Sequence, residues 1–281
     1  MAWIRQIIMT VGTGGIGTLI SDLNISFEIE RSIDESPNSG IFTIYNAKLE
    51  TRQKILATGN NIVFSAGYED EKNLSTIFFG TISKSTSRKE GIDWVTTIQA
   101  VDIANNKLGL NYNTVNLSFS AKTPLLSVVR DLSALLSIPV TGLRGLENIT
   151  ATLNNGFAYS GNITNLISSI NSILSSYQTA LYFDSSEMIV YRPGLPDSSF
   201  GIVRITPNSG LVGAVADISD ENEQDGKKRI GFQCLLNPKI KPNAVLSIAS
   251  LSTSGSFIVE KVRFYGDNFG GDFLCEVEAV A

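Results

Sequence analysis

Six residues near the start, Gly12-Thr13-Gly14-Gly15-Ile16-Gly17, spell the G-x-G-x-x-G pattern that cradles a dinucleotide pyrophosphate when it opens a helix behind a strand. The following residues do not supply that helix. Thr18-Leu19-Ile20-Ser21-Asp22-Leu23 gives way to period-two alternation through Asn24-Ile25-Ser26-Phe27-Glu28-Ile29-Glu30, with Ile25, Phe27 and Ile29 on one face of a strand. The glycine run is therefore read as a hairpin or loop.

The other chemistry-bearing residues are scattered. The sequence contains 0 histidines, which removes the commonest general base and metal ligand and every Ser-His or Cys-His pair. Cys234 and Cys275 lie in runs that read as strands, and 2 cysteines make no disulfide framework; both are read as reduced, buried and apolar. No P-loop, paired-cysteine or H-E-x-x-H motif occurs. Glu69-Asp70-Glu71 reads as an exposed turn, and the Arg130-Asp131 pair as surface charge on the polar side of a helix. Lys227-Lys228-Arg229, following Glu221, Glu223 and Asp225, reads as a solvated loop rather than a phosphate site. Tyr45, Tyr68 and Tyr265 offer a sugar-stacking platform, but tyrosine on strands is ordinarily half-buried packing. The reading assigns no catalytic, cofactor-binding or metal residue and no cofactor, and expects a scaffold rather than an enzyme.

The composition agrees. A net charge of -5 and a pI near 4.9 argue against a nucleic-acid partner, whose phosphates demand a basic surface. With 43% hydrophobic and 17% charged residues the chain suits β structure and large buried contacts. Its 281 residues exceed a single core, so two or three domains are expected. No window reaches the roughly 18 to 20 consecutive apolar residues of a membrane span. Met1-Ala2-Trp3-Ile4-Arg5-Gln6 lacks the basic and apolar regions of a signal peptide, which predicts cytoplasmic synthesis without Sec export.

The elements fall into a β-helix-β order. Strands are expected over Trp3 to Val11, Asn24 to Glu30, Ile41 to Asn46, Asn61 to Tyr68, around Thr76 to Gly80 and over Trp94 to Val101. Ser36-Pro37-Asn38-Ser39-Gly40 supplies a turn, and Lys48 to Leu56 a short helix using Leu49, Ile55 and Leu56 across one end of a barrel. After Asp102 the pattern changes. Thr123 caps a helix with Pro124 at its first position, carrying Leu125, Leu126, Val128, Val129, Leu132, Leu135 and Leu136, and Ile138-Pro139 stops it. A second helix runs from Ile163 to Tyr177, and strands Thr179 to Phe183 and Met188 to Arg192 are joined through Asp184-Ser185-Ser186-Glu187. From Gly210 the β pattern returns, with strands over Arg229 to Leu235 and Ala244 to Ile248 around a turn fixed by Pro238 and Pro242. The last strand puts Phe273, Cys275, Val277 and Ala279 on one face, Glu276 and Glu278 on the other.

One long similarity is internal. Gly91-Ile92-Asp93-Trp94-Val95-Thr96-Thr97-Ile98-Gln99-Ala100-Val101 aligns without a gap on Gly270-Gly271-Asp272-Phe273-Leu274-Cys275-Glu276-Val277-Glu278-Ala279-Val280. Phe78-Phe79-Gly80-Thr81-Ile82 and Phe257 to Val262 supply the strand before each turn, so two related β units flank something else. The division expected is 1–106 for the first unit, 107–206 for an α+β insert with two amphipathic helices, and 207–281 for the second unit, with strands open to sharing between the units.

Taken in order, Ser36 to Asn46, Ser65-Ala66-Gly67-Tyr68, Phe78-Phe79-Gly80-Thr81-Ile82, Leu235-Leu236-Asn237-Pro238-Lys239-Ile240-Lys241-Pro242, Gly255-Ser256-Phe257-Ile258-Val259 and Gly266 to Gly271 leading to Glu278-Ala279 resemble the baseplate hub proteins of tailed bacteriophages. These are the late-control-protein-like hubs, related to the hubs of contractile injection systems. Asn243 departs from the glycine such proteins often carry, a local matter because Asn also tolerates positive φ. The resemblance implies a mainly β fold of two tail-tube-like antiparallel β-barrels plus an α+β domain. It also implies a homotrimer presenting six barrels that joins the sixfold tail tube to a threefold central spike and forms part of the DNA-ejection channel. Expected partners are the tail tube or distal tail protein, a central spike or tail-tip protein and the end of the tape-measure protein. The location implied is the virion baseplate, assembled in the bacterial cytoplasm. A receptor- or carbohydrate-binding tail protein and the hub of a non-phage contractile injection system are the alternatives. Purified protein is expected to bind no nucleotide; measurable binding that Gly14→Ala and Gly15→Ala abolish would restore the dinucleotide reading.

Overall fold

The computed structural model describes residues 4–13, 16–34, 38–57, 59–69, 72–102, 114–141, 151–196, 200–219 and 226–281. They form two compact units: one of residues 1–33, 38–102 and 196–281, the other of 34–37 and 103–195.

The first unit is built on a 13-stranded sheet. β1 (Arg5–Thr13) buries alternate residues Ile7, Met9 and Val11, and turns back as β2 (Ile16–Ile20) with Gly12 opposite Gly17. Gly12, Thr13, Ile16 and Gly17 thus lie on paired antiparallel strands; Gly14 and Gly15 lie outside the described residues. β3 (Ile25–Ser32) pairs with β4 (Ser39–Tyr45), β4 with β7 (Asp93–Asp102), β7 with the long β6 (Ser75–Glu90), β6 with β5 (Asn61–Tyr68) and β5 with β1. Numbered from β3 in chain order, these strands lie side by side as 1-2-5-4-3.

The C-terminal strands repeat that order. β14 (Leu211–Asp217) pairs with β15 (Arg229–Leu235), β15 with β18 (Phe273–Val280), β18 with the long β17 (Ser254–Asp267), and β17 with β16 (Val245–Ala249). The likeness reaches single residues. In the first repeat one extra residue, Ser83, interrupts the ladder between the pairs Ile82↔Ala100 and Lys84↔Gln99. In the second, Glu260 does so between Val259↔Ala279 and Lys261↔Glu278. Ala100 aligns with Ala279 and Gln99 with Glu278, so both bulges fall at one position of the sequence repeat. The inward row also matches: Thr96, Ile98 and Ala100 are as buried as Cys275, Val277 and Ala279. An additional strand, β13 (Ile202–Ile205), runs parallel to β16.

The repeats are fused rather than merely adjacent. Below its bulge β17 leaves β16 and pairs with β3, from Lys261↔Ser32 to Asp267↔Ser26. The sheet therefore runs β14-β15-β18-β17-β3-β4-β7-β6-β5-β1-β2, and among the described residues no pairing joins its ends into a closed barrel. Aromatic rings cross the joint inside the core. Tyr68 stacks edge-on against Phe273 at 5.3 Å, Phe273 against Phe27 at 5.8 Å, Phe27 against Phe64 at 4.8 Å, and Phe64 against Phe42 at 4.8 Å. Each contact adds about 0.5–1.5 kcal/mol beyond the area it buries. The short helix α1 (Leu49–Ile55) buries Ile55, while Leu49 and Leu56 are exposed, so one of its three expected core residues reaches the core.

The second unit is α+β. Helices α2 (Leu125–Leu136) and α3 (Ile163–Ser175) bury Leu125, Val128, Val129, Leu132 and Leu136, and Leu166, Ile167, Ile170 and Leu174, respectively. They share a core with the sheet of β11 (Ala180–Asp184), β12 (Glu187–Tyr191) and the short parallel β9 (Val140–Thr141). A separate ladder pairs β8 (Val115–Phe119) with β10 (Phe157–Gly161). Pro124 is itself the cap of α2, and the Thr123 hydroxyl bonds back to the Ser120 carbonyl at 2.8 Å, one position short of the expected arrangement. Leu135 faces solvent, and Ser137 ends the helix in the left-handed conformation.

Gly266, where β17 closes against β3, has φ 146, and a Cβ there would meet the Asp272 carbonyl oxygen at 2.3 Å and the Phe273 Cα at 2.7 Å. Gly91, in the repeat's other turn, has φ 61 and open space. Gly266→Ala is expected to destabilise the first unit by about 2–3 kcal/mol, and Gly91→Ala by about 1 kcal/mol. Urea unfolding followed by tryptophan fluorescence measures both.

Candidate functional site

Among the described residues, those singled out by sequence lie on several separate elements. Tyr68 is 2% exposed and donates from its hydroxyl to the Phe273 carbonyl at 3.2 Å, so it is core packing. Tyr45 is half-buried on β4; Tyr265 lies beside the Arg263 guanidinium, 4.9 Å from its ring centre. Burial, followed by the carboxylates of Asp272 and Glu276, raises the Tyr265 hydroxyl above its ordinary pKa. Arg130 and Asp131 are exposed on α2. Glu69 is exposed, and its carbonyl accepts from the Lys72 N–H at 3.0 Å; Asp70 and Glu71 lie outside the described residues. Lys227 and Lys228 are exposed, but Arg229 departs from the solvated-loop reading, because it starts β15 and meets Glu260 at 3.2 Å.

What the fold builds instead is a joint and several open edges. At the joint the Arg263 guanidinium spans β3 and β18, donating to Glu28 at 2.8 Å and to Glu276 at 3.0 Å, and Lys261 meets Glu30. The hydrogen bond to Glu28 is the main reason the guanidinium pKa is raised; burial opposes it and Glu276 adds to it. These groups are more than a third exposed, so each pair contributes on the order of 0.5 kcal/mol and chiefly selects the register.

The turn between β17 and β18 is clamped by the start of the chain. Arg5 on β1 donates to the carbonyls of Gly271 at 2.6 Å, Gly270 at 2.8 Å and Asp267 at 3.0 Å, and its guanidinium lies 5.3 Å from the Phe273 ring centre. The Asn268 side chain accepts from the Ile25 N–H and donates to the Leu23 carbonyl, both at 2.8 Å. The first repeat carries a counterpart: Trp94, aligned with Phe273, has the Arg52 guanidinium 3.7 Å above its ring. No local sequence pattern marks Arg5 or Asn268, since their partners lie more than 240 residues away. Arg263 carries one faint signal, its place on the polar row of a strand flanked by acidic strands.

Besides β2 and β13, which each pair with one strand, the edges open among the described residues include β14 and the far half of β6. Among the described residues β14 pairs with β15 alone, and from Lys84 onward β6 pairs with β7 alone. Beside β14 lies a groove of about 390 Å³ lined by Gly213, Ala214, Ala216 and Gly231 and flanked by Glu276 and Glu278. Asp217 at the end of β14 is held below its ordinary pKa by the Ser219 hydroxyl and then the Ser219 N–H.

Cys234 and Cys275 are buried free thiols standing opposite each other on β15 and β18. Burial, then the neighbouring Cys234, pushes the Cys275 thiol well above its ordinary pKa. Folding therefore favours the protonated thiol, and this stability is lost as pH rises beyond the ordinary thiol value of about 8.5. At pH 8, iodoacetamide is expected to leave both cysteines unmodified in the folded protein and to alkylate both in denaturant, as mass spectrometry reads.

No protein-family model matches the chain, and no curated protein matches it significantly. Solved structures do. A 43 kDa tail protein of prophage MuSo2 from Shewanella oneidensis superposes with a TM-score of 0.68 at 9% identity, over 98% of this chain and 96% of that one. The tail protein from Neisseria meningitidis MC58 gives a TM-score of 0.69 at 10% identity, over 98% and 96%. A component of the E. coli type VI secretion system, described as similar to T4 bacteriophage tail proteins gp27 and gp5, gives 0.58 at 9% identity, over 96% of this chain and 76% of that one. The hub-like resemblance carried by the sequence is met in the fold, which this chain shares with phage tail and injection-system proteins along nearly its whole length.

Proposed function

We propose that the chain is a structural tail protein, a baseplate hub acting as a homotrimer between a sixfold tail tube and a threefold spike. The observation that carries this is the duplicated 1-2-5-4-3 sheet with its bulges in register. Two similar units per chain become six in a trimer, matching a sixfold ring above while the trimer itself remains threefold below. In this reading each repeat, 1–106 and 207–281, serves as one tail-tube-like barrel. Neighbouring copies complete the barrels, and the 107–206 insert stands between them in sequence.

The tail-protein neighbours in structure support the tail assignment, and the type VI component supports a hub of contractile-injection type. The partners proposed are the tail tube or distal tail protein on one side, a central spike or tail-tip protein on the other, and the end of the tape-measure protein. The role is scaffolding of the ejection channel in the virion baseplate, without catalysis. The purified chain is expected to have three times its 30.3 kDa monomer mass in native mass spectrometry or light scattering. A stable monomer that adds nothing to tail assembly would overturn the proposal.

A further inference from the structure

The joint within the chain assigns the joint between chains. Its halves are β17, the fourth strand of the second repeat, and β3, the first strand of the first. The reciprocal combination is β6, the fourth strand of the first repeat, with β14, the first strand of the second. Within one chain both strands have an edge without a partner strand among the described residues, as β2 and β13 also do. Resting on the trimeric reading above, we infer that β6 from Ser85 to Glu90 pairs antiparallel with β14 of a second copy of this chain.

The register follows by carrying the internal joint across the repeat. Through the bulges, Lys261 to Asp267 correspond to Lys84 to Glu90. Through the pairings of β4 and β15, Ile25 and Ser26 correspond to Leu211 and Val212, and Glu28 and Ile29 to Ala216 and Asp217. The pair Tyr265↔Glu28 then predicts Arg88 opposite Ala216, Phe264↔Ile29 predicts Ser87 opposite Asp217, and Asp267↔Ser26 predicts Glu90 opposite Val212. The residues between Val212 and Ala216, where β14 shifts register, fall opposite Lys89.

The chemistry of the two edges fits this pairing. β6 presents Lys84, Arg88 and Lys89, while β14 ends at Asp217 and the sequence continues through Asp220, Glu221, Glu223 and Asp225. Arg88 points outward, since its neighbour Ser87 turns in to the Thr96 hydroxyl at 3.0 Å. Across the sheet its row continues through Ala216 and Gly231 to Glu278. The first two contribute little side chain, Ile218 lies 3.2 Å from where a Cβ on Gly231 would stand and has to turn aside, and the third closes the groove with a carboxylate. Three strand spacings, about 14 Å, separate the ends of that row, a span that an extended arginine and glutamate can bridge. In the single chain Arg88 is 78% exposed and its guanidinium meets Glu90 on its own strand. In the trimer the guanidinium turns instead along the groove. Charged edges and a bulged β14 would keep unlike strands from adding here, while an acidic edge of the right register is accepted.

Paired strand positions bring Cα atoms about 4.5–5.5 Å apart, within disulfide reach. A chain carrying both Arg88→Cys and Ala216→Cys, mildly oxidised, is therefore expected to give a covalent trimer on a denaturing gel. The two single variants mixed are expected to give only cross-linked dimers. A native trimer without this cross-link would overturn the inferred joint and leave the hub reading standing, whereas a native monomer would overturn both. Independently, Arg88→Glu should raise the concentration at which the trimer dissociates at least tenfold, and adding Glu278→Arg should recover most of that loss. If neither substitution changes the dissociation concentration, the assigned row is wrong.

Discussion

The pairing of β17 with β3 is the constraint on which the first unit depends. Without it β3 would be an exposed edge and the ring contacts that cross between the repeats would be lost. With it the aromatic rings of one repeat fill the core of the other, as Phe273 does against Phe27 and Tyr68. It also explains why the chain tolerates a separate α+β unit between its halves. The repeats are held by ladder hydrogen bonds and core packing, not by the segment that connects them.

Side-chain charge plays a selective part in this arrangement. A slip of one residue between β17 and β3 would turn Val262 and Phe264 out of the core and bring Arg263 in. Arg263 and Lys261 find carboxylates in one register only, so modest exposed ion pairs add to a choice already made by burial. The Arg5 clamp works differently. It satisfies carbonyls of a tight turn whose Phe269 and Gly270 N–H groups donate to the Asp267 carboxylate, and it lies against the ring of Phe273.

The legible parts of this fold were local. Alternation located most strands but not β8, β9, β10 or β13, the amphipathic stripes located both helices of the second unit, and Asn243, with φ 65, adopts the conformation its side chain tolerates. The aligned closing strands announced the duplication, and the structure places them at equivalent positions. What sequence did not reveal is non-local or conformational. Nothing in Ile25 to Ser32 identifies β17 as its partner, because backbone pairing carries little side-chain signature. The turn at Ser185-Ser186 takes positive φ twice without the glycine or asparagine that normally signals it. The candidate surface was illegible for a similar reason: an open edge is defined by which neighbour is missing, a property of the whole sheet.

The clamp between Arg5 and the turn at Asp267 also sets a timetable. Its two sides are separated by 262 residues of chain. At synthesis rates of about 5–20 residues per second, the edge of β3 emerges tens of seconds before the strand that covers it. During that interval the nascent first repeat exposes a long, regular edge together with half an aromatic core, the state most prone to pairing with another nascent chain. The sheet is therefore completed only when its last strands are made, whereas residues 103–195, which make up nearly all of the α+β unit, are on hand well before then.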